Sequence, residues 1–324
     1  MLEGRTIGIV IPAYNEQLLL PRTLDTMPAY VDFMFVINDC SKDNTAKILD
    51  EYAARDPRIR PIHHAVNKGL GQSLIDGYIA ARELGVDIVA VMAGDNQMSP
   101  ADLEHVVRPI IDGAADYVKG NRLLRAEVVK RMPRHRFIGN NILTLLTKFA
   151  TGYWHLIDPQ CGYTAISKEA LALIPIERMT KGYGYNADIL NMLNLSNFRV
   201  VDVGVEPVYG EEQSKIRLHR YIPKVSALLT SLFFKRMTNK YMLRDFHPLF
   251  LLYAFSGLNF FVFFIPLAVR FFWFYLQRGV APTTTLLLMM FSFSFAIFSL
   301  IFAMWMDMED NRRLNPYYSV KPRS

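Results

Sequence analysis

The chain has 324 residues, of which 51% are hydrophobic, and it carries a formal net charge of +6. That length fits one large domain with additions or two small domains. The two cysteines, Cys40 and Cys161, are too few for a disulfide framework or for a metal site made of cysteine pairs, so a small fold held by disulfides is excluded.

Short apolar runs alternate with helical patterns from residue 1 to about residue 215. Strands are predicted at residues 7–11, 33–37, 58–63, 87–92, 117–119, 163–167 and 199–205. Helices are predicted near residues 18–27, 44–55 and 70–84, and another begins at Ser99-Pro100, with Ser99 as its N-cap. Because this alternation implies βαβ units, we expect residues 1–215 to form an α/β domain with a mostly parallel sheet.

Two later segments reach membrane-spanning length. Residues 249–269 and 284–306 contain no charged side chain, and a helix needs about 20 apolar residues to cross the hydrocarbon core. Gly279 and Pro282 lie between them and indicate a turn, so residues 246–308 are predicted to form a helical hairpin. A pair of buried core helices is the disfavoured alternative, because a domain this small can hardly cover two uncharged helices.

The segment between these regions, residues 216–245, is basic and amphipathic. Its apolar residues recur at helical spacing, which predicts a helix at the membrane interface, with a helix packed on the α/β domain as the alternative. Lysine and arginine are dense before the hairpin and recur in the tail, residues 309–324. The positive-inside rule therefore places the α/β domain and the tail in the cytoplasm. The same basic residues favour an anionic lipid surface, with no nucleic acid as partner.

Three polar clusters each follow a predicted strand, at residues 12–16, 38–45 and 94–97. Open α/β sheets bind their ligands at the carboxyl ends of strands. One such cluster is ordinary loop chemistry, whereas three in this order and spacing indicate a ligand site.

The three clusters resemble motifs of the family 2 glycosyltransferases, in particular the polyprenyl-phosphate hexosyltransferases of the dolichyl-phosphate mannose synthase type. The resemblance covers about residues 5–215 and implies a GT-A type domain that binds a nucleotide sugar. The glycines near residue 70 fit neither a Walker A loop nor a dinucleotide-binding fingerprint. The donor-binding residues implied by the resemblance are Pro12, Tyr14, Asn15, Glu16, Asp39, Lys68, Gly69, Gly94 and Arg122.

The stretch around Asp95 resembles the Asp-x-Asp motif of this family. Asp95 matches its second acid and Gln97 the glutamine that follows, which implies a Mg²⁺ or Mn²⁺ site on these two residues. A divalent cation held by carboxylate and phosphate oxygens neutralises a leaving diphosphate. Ala93 stands where the family has its first acid, and this departure puts the strength of metal binding in question. Ordinary surface or loop positions are expected for His63, His64 and His155, which lack a ligand-like spacing.

Further segments resemble the part of the family site that holds the acceptor. Asp158 lies in an Asp-x-x-Cys-Gly stretch and is expected near the acceptor phosphate, where it either activates or orients it. Asp188 is the second candidate for acceptor activation, with charge at a helix N-terminus as the alternative. The catalytic set implied is Asp95, Asp158, Asp188 and Lys215. The acceptor phosphate is expected on Arg122, Arg134, Ser214 and Lys215.

The resemblance implies an inverting transfer of a hexose from a nucleotide sugar to a polyprenyl phosphate, with a UDP-sugar slightly favoured over GDP-mannose. One alternative is a processive polysaccharide synthase, which is disfavoured because the Gln-x-x-Arg-Trp pattern of those enzymes is missing from this sequence. Another is an inactive membrane scaffold that binds nucleotide sugar, which Ala93 keeps open. Membrane hairpins of this group often assemble, so a homo-oligomer is also an open expectation.

Overall fold

The computed structural model describes residues 1–123, 134–182, 184–206, 218–280 and 282–316. For residues 134–138, 140 and 218–221 the description is limited to the backbone. The chain divides into two compact units, which are residues 1–233 with 313–316, and residues 234–312. The first unit extends beyond residue 215, the predicted end of the α/β domain.

The first unit is built on one mixed sheet. In the described chain its strands are β1 (Ile7–Ala13), β2 (Phe33–Asn38), β3 (Ile59–His63), β4 (Ile88–Val91), β5 (Tyr117–Asn121), β6 (Thr164–Ser167) and β7 (Val200–Gly204). Their order is β3-β2-β1-β4-β6-β5-β7. β6 runs antiparallel to β4 and β5, whereas the other neighbouring strands pair in parallel. The predicted α/β architecture with a mostly parallel sheet is confirmed.

Helices connect these strands and pack on both faces of the sheet, and one further helix follows β7. They are α1 (Leu20–Asp25), α2 (Thr45–Arg55), α3 (Leu70–Glu83), α4 (Leu103–Ile111), α5 (Arg134–Thr151), α6 (Lys168–Leu173), α7 (Tyr185–Leu195) and α8 (Leu218–Arg236). A 3₁₀ turn, Pro100–Asp102, leads into α4. Ser99 precedes that turn in an extended conformation, as expected of an N-cap, but its side chain makes no capping hydrogen bond.

Alternation along the strands creates two separate cores. Ile7, Ile9 and Ile11 point to one face, where α1, α2 and α4 pack, whereas Val10 points to the opposite face, against α3. All four side chains are fully buried. The short apolar runs of the sequence thus mark strands that are buried on both faces, as parallel sheets require.

Helix α8 has one face packed on the first unit and one face exposed. Val225, Leu229 and Leu232 are buried against Ala150 of α5 and Ala187 of α7. On this face, α8 agrees with the alternative prediction of a helix packed on the α/β domain. On the exposed face Ile222 is 58% and Phe234 61% accessible. That face retains the amphipathic character on which the prediction of an interfacial helix rests.

The second unit contains a helical hairpin. Its two helices, α9 (Pro248–Arg278) and α10 (Thr283–Leu314), are 31 and 32 residues long, and both are apolar enough to cross a membrane. The hydroxyl of Ser256 donates to the carbonyl of Ala296 at 2.8 Å, and Ser292 donates to Asn259 at the same distance, so small polar residues join the helices. The predicted hairpin agrees with this arrangement, but α9 continues nine residues past the predicted end at Val269.

A buried polar cluster lies between the start of this unit and the end of α10. The guanidinium of Arg236 contacts both carboxylate oxygens of Asp307, at 2.6 and 2.7 Å, and both side chains are fully buried. Asn311 and Lys240 extend the cluster through a hydrogen bond of 2.7 Å. Buried ions need such bidentate pairing, because each alone would lose its hydration without compensation.

Candidate active site

The loops that carry the candidate residues lie at one edge of the sheet. β1 to β4 are parallel, so the loops after them open at the same edge. The reversed direction of β6 brings the loop before it to this edge, and with it Asp158. At about 4.8 Å per strand, Asp39 after β2, Asp95 after β4 and Asp158 before β6 spread over roughly 15 Å. This is the edge at which open α/β sheets bind ligands.

The loops after β1 and β2 are joined by hydrogen bonds. The backbone N–H of Asn15 donates to the hydroxyl of Ser41 at 3.0 Å, and the N–H of Lys42 donates back to the Asn15 side chain at 2.8 Å. The N–H of Glu16 donates to the hydroxyl of Thr45 at 2.9 Å. The opening motif and the turn after Asp39 therefore form a single surface.

The ends of β1 and β4 are also connected. Gly94 donates its N–H to the carbonyl of Pro12 at 3.2 Å, and the Tyr14 side chain beside them is 40% exposed. Left-handed backbone conformations occur at a non-glycine residue in each of the three loops: Asn15, Cys40 and Asn96, with φ of 59°, 58° and 55°. Backbone strain of this kind concentrates at functional sites.

Asp39 is buried, and its carboxylate organises the neighbouring loop. It accepts hydrogen bonds from Nδ1 of His64 (2.7 Å) and from the backbone N–H groups of Lys68 (2.7 Å) and Gly69 (2.8 Å). Burial alone would raise the pKa of Asp39, but these donors outweigh it and hold the pKa below the ordinary value. Asp39 thus stays ionised and fixes the turn that the family resemblance assigns to the nucleotide.

The glycine stretch after this turn packs against a second backbone segment. Gly69 has a φ of +87°, and Gly71 donates its N–H to the carbonyl of Lys181 at 2.9 Å. Asp188 holds that segment, because its carboxylate accepts both the N–H and the hydroxyl of Thr180 at 2.8 Å. Asp188 lies in the first turn of α7, and its observed contacts anchor a loop.

Asp95 follows β4 and differs electrostatically from Asp39. Its carboxylate accepts the backbone N–H of Gln97 at 3.1 Å. Burial raises the pKa of Asp95, and the backbone hydrogen bonds only partly oppose this. A cation bound next to such a half-buried carboxylate would stabilise its ionised form.

The residues near Asp95 fit a divalent cation whose remaining ligands come from the substrate. They do not fit a metal site in which the protein supplies all of the ligands. The described part of the chain contains no group of three or more histidine, cysteine, aspartate and glutamate side chains that could hold a metal ion. Mg²⁺ needs one or two carboxylates when substrate phosphates complete its shell. Asp95, with the exposed Gln97 beside it, meets that smaller requirement.

Arg122 and Asp158 form an ion pair at the other end of the edge. The Arg122 guanidinium donates from Nε to one Asp158 oxygen (2.8 Å) and from Nη2 to the other (3.1 Å). The Asp158 side chain is 1% exposed and the Arg122 side chain 42%. The buried carboxylate of Asp158 thus holds the Arg122 guanidinium at the surface, and a guanidinium is a suitable group to bind phosphate.

Tyr185, at the start of α7, lies within electrostatic reach of both Arg122 and Asp95. Burial raises the pKa of its hydroxyl to about 12, and the charges of Asp95 and Arg122 act on it in opposite directions. A Cβ built at Gly162 would lie 3.4 Å from the same hydroxyl. Asp95 and Arg122 therefore both lie close enough to Tyr185 for their charges to act on its hydroxyl.

Sequence reasoning missed three buried residues next to the site. His64 bridges Asp39 and Asp76 through its two ring nitrogens, and was interpreted only as an ordinary histidine. Lys119 and Asp202 are buried on β5 and β7. The available signal was a charged residue within an otherwise apolar strand. The other two histidines make ordinary contacts: His63 with Asn38 and Asp50, and His155 with the carbonyl of Val200.

Some predicted residues lie outside the description. Residues 207–217, which include Ser214 and Lys215, are not among the described residues. Arg134 begins α5, but the description there is limited to its backbone. Their assignment to the acceptor phosphate stays a prediction.

Comparison with known proteins gives matches to both sequence and fold. The profile of glycosyl transferase family 2 matches residues 8–174. The UDP-N-acetylglucosamine–dolichyl-phosphate N-acetylglucosaminyltransferase of Methanococcus voltae is 30% identical over 223 residues, covering 65% of this chain and 88% of that protein. The undecaprenyl-phosphate mannosyltransferase of Micrococcus luteus is 29% identical over 207 residues, covering 62% and 83%.

A solved structure shares the fold. Glucosyl-3-phosphoglycerate synthase from Mycobacterium tuberculosis, in complex with Mn²⁺, UDP and glucosyl-3-phosphoglycerate, aligns with a TM-score of 0.53 and 20% identity over 72% of this chain and 80% of that chain. At this identity the likeness shows the GT-A-like fold alone. From the family profile, the fold and the edge of the sheet that carries the motifs, we conclude that this chain belongs to glycosyl transferase family 2 and is a glycosyltransferase.

Proposed function

We propose that the enzyme transfers a hexose from a nucleotide sugar to a polyprenyl phosphate at the cytosolic face of a membrane, with inversion at the anomeric carbon. The names of the relatives support the acceptor class, since they specify dolichyl and undecaprenyl phosphate. The relative from Methanococcus voltae uses a UDP-sugar, which favours a uridine nucleotide slightly over a guanosine nucleotide.

The observation that carries this proposal is an exposed guanidinium, held by a buried carboxylate, at the edge of the sheet that carries the family motifs, in a chain that also has two helices of membrane-spanning length. Arg122, held by the buried Asp158, offers a cation at that edge. A polyprenyl phosphate combines a dianionic head with a tail that stays in the bilayer. An enzyme anchored by a hairpin gains by meeting this acceptor in two dimensions.

Different loops along this edge of the sheet bind different parts of the substrates. The loops at 12–16 and 38–45, with the turn fixed by Asp39, hold the nucleoside. Asp95 and Gln97 would hold a divalent cation, which supplies charge neutralisation for the diphosphate when bound. An oxygen of the acceptor phosphate attacks the anomeric carbon as the bond to the diphosphate breaks, and Arg122 holds that phosphate in line.

Asp158 acts in this proposal through Arg122. A phosphate acceptor is already anionic at neutral pH, so no proton has to be removed from it. The bidentate contact with Arg122 gives Asp158 a positioning role. Asp188, engaged by Thr180, is assigned to the loop next to the donor turn.

The proposal is tested with purified enzyme, labelled UDP- and GDP-sugars, polyprenyl phosphate, and Mg²⁺ or Mn²⁺. We expect a labelled lipid product from the wild type. Asp95→Ala should lower its formation at least about 10²-fold, because the metal contributes several kcal/mol of charge stabilisation. Asp112→Ala, an exposed position at the end of α4, is the matched control and should keep wild-type activity.

Two results would contradict the proposal. Full activity of Asp95→Ala would remove the metal assignment. Sugar transfer to water or to a growing polymer, with none to the lipid phosphate, would remove the acceptor assignment.

A further inference from the structure

The loop that carries Asp158 is held from beneath by three buried side chains. Asp202 accepts the backbone N–H of Ile157 at 2.6 Å. The amide of Asn186 donates to the carbonyl of Gln160 at 3.3 Å. The ammonium of Lys119 donates to the next carbonyl, that of Cys161, at 2.5 Å. Residues 157–161 therefore have side-chain partners on both sides of Asp158.

Lys119 is the centre of this arrangement. It lies in the middle of β5, is fully buried, and also donates to the side-chain oxygen of Asn186 at 2.7 Å. Its register partner on β7 is Asp202, and Asn121, two residues further on the same face of β5, donates to that carboxylate at 3.1 Å. A lysine in a central strand replaces an apolar side chain at a considerable desolvation cost, so its position calls for a specific role.

The charges around Lys119 are those of the proposed acceptor site. Asp158, Asp202, Arg122 and the thiol of Cys161 all act on its ammonium. With Arg122 and Lys119, two cations face the two buried carboxylates of this cluster. Removal of Lys119 would leave Arg122 beside Asp158, and Lys148 as a cation that interacts with Asp202.

We propose that Lys119 is a positioning residue of the transfer reaction, whose buried ammonium fixes the loop 157–161 and so sets the Arg122–Asp158 pair in the orientation that binds the acceptor phosphate. The role of Lys119 rests on the proposed function only because the acceptor is taken to be a polyprenyl phosphate. The contact between Lys119 and the loop is independent of it.

The kinetic test compares two replacements of this lysine. Lys119→Met keeps an unbranched side chain one atom shorter, without the charge or the donors, and Lys119→Gln keeps a donor without the charge. We expect kcat for lipid transfer to fall about 10²-fold in Lys119→Met, as for a misplacement of about 1 Å, with the KM for the donor unchanged. Lys119→Gln should recover part of this loss.

Val118→Ala controls for stability. Val118 is fully buried next to Lys119 but points to the opposite face of the sheet, into the core that contains Ile7, Ile9 and Ile11. Its truncation should lower the Tm without a specific loss of kcat. If Lys119→Met lost activity only as far as its Tm fell, as Val118→Ala does, the positioning role would be overturned.

Cys161 offers a readout that needs no substrate. It is 3% exposed, and the chain has one other cysteine, Cys40. In a Cys40→Ser background, a maleimide should modify Cys161 slowly, and at least about tenfold faster once Lys119→Met frees the loop. Equal rates with and without Lys119 would overturn the proposal.

The pH dependence separates charge from packing. Burial lowers the pKa of Lys119 to about 8, and burial raises that of Asp202 to about 6 against the opposing charge of Lys119. Transfer should therefore decline above about pH 8 in the wild type, and Lys119→Met should lack that decline. At low pH, activity should fall as Asp202 becomes protonated. In Lys119→Met this fall should occur at a higher pH, because without the Lys119 charge the pKa of Asp202 rises further.

The outcomes distinguish the two proposals. A wild type without lipid product, but with Cys161 protected through Lys119, would refute the acceptor and keep the loop contact. A wild type that makes the lipid product, with unchanged kcat and pH profile in Lys119→Met, would refute the positioning role and keep the proposed function.

Discussion

The four aspartates singled out in the described chain have different surroundings, and these surroundings separate their roles. Asp39 accepts two backbone N–H groups and the ring of His64, and Asp188 accepts the N–H and the hydroxyl of Thr180, which suits residues that shape loops. Asp158 is committed to Arg122. Asp95 has few donors and a raised pKa, which suits a carboxylate that receives a cation with the substrate. Residue type alone did not distinguish these cases, because the distinction lies in which atoms face each carboxylate.

Asp39→Asn tests the loop-shaping role at the donor end. The carboxylate of Asp39 now accepts three N–H groups. In asparagine the NH₂ group replaces one accepting oxygen, so that a donor would face a donor. We expect the free energy of unfolding to fall by about 1–3 kcal/mol and the affinity for UDP and GDP to weaken together. Calorimetric titration and thermal unfolding in detergent measure both effects. Asp25→Asn, an exposed position on α1, is the control, and an unchanged nucleotide affinity in Asp39→Asn would contradict the assignment.

At the scale of elements, the sequence predicted the strands and the helices α1 to α4 well because hydrophobic period is a local property, whereas α5 and α6 were not predicted. The seven observed strands fall on the predicted runs, with ends that differ by up to two residues. The predicted end at residue 269 was too early. Arg270 ends the uncharged run, but α9 continues to Arg278, where Gly279 with a φ of 64° ends it. The reversal of β6 and the contacts of Lys119 and His64 are non-local, and no periodicity records them.

Gly71→Ala tests how α3 meets the segment that Asp188 holds. A Cβ at Gly71 would overlap the carbonyl oxygen of Thr180, which is backbone and cannot rotate away. We expect a loss of about 1–3 kcal/mol in stability, as in an overpacked core, and a weaker affinity for nucleotide. Thermal unfolding with and without UDP measures both effects. Gly139→Ala is the matched control, since a Cβ there meets open space and alanine favours the helix by about 1 kcal/mol. Equal stability of the two variants would contradict the close packing.

At the scale of the whole molecule, the chain joins a soluble type of fold to a hairpin whose side chains are mostly exposed. Phe261, Phe298 and Trp305 are 67%, 71% and 58% accessible, and water would not tolerate this much apolar surface in a monomer. Within the hairpin unit the ion pair of Arg236 with Asp307 and the serine hydrogen bonds fix the helices to each other. Composition alone predicted the apolar stretches, whereas the pairing of Arg236 with a residue 71 positions later could not be read from it.

The orientation proposed for the hairpin is tested by labelling cysteines in intact cells. Cys40 is partly exposed in the first unit, and Arg278, exposed at the end of α9, lies in the turn of the hairpin. With the catalytic unit in the cytoplasm, both ends of a two-helix hairpin lie inside and its turn lies outside. A membrane-impermeant maleimide should therefore label Arg278→Cys in intact cells, and should reach Cys40 only after the membrane is opened. Cys161, buried in the first unit, serves as the unreactive internal reference. Labelling of Cys40 from outside would reverse the proposed orientation and place the catalytic edge on the side where nucleotide sugars are not made.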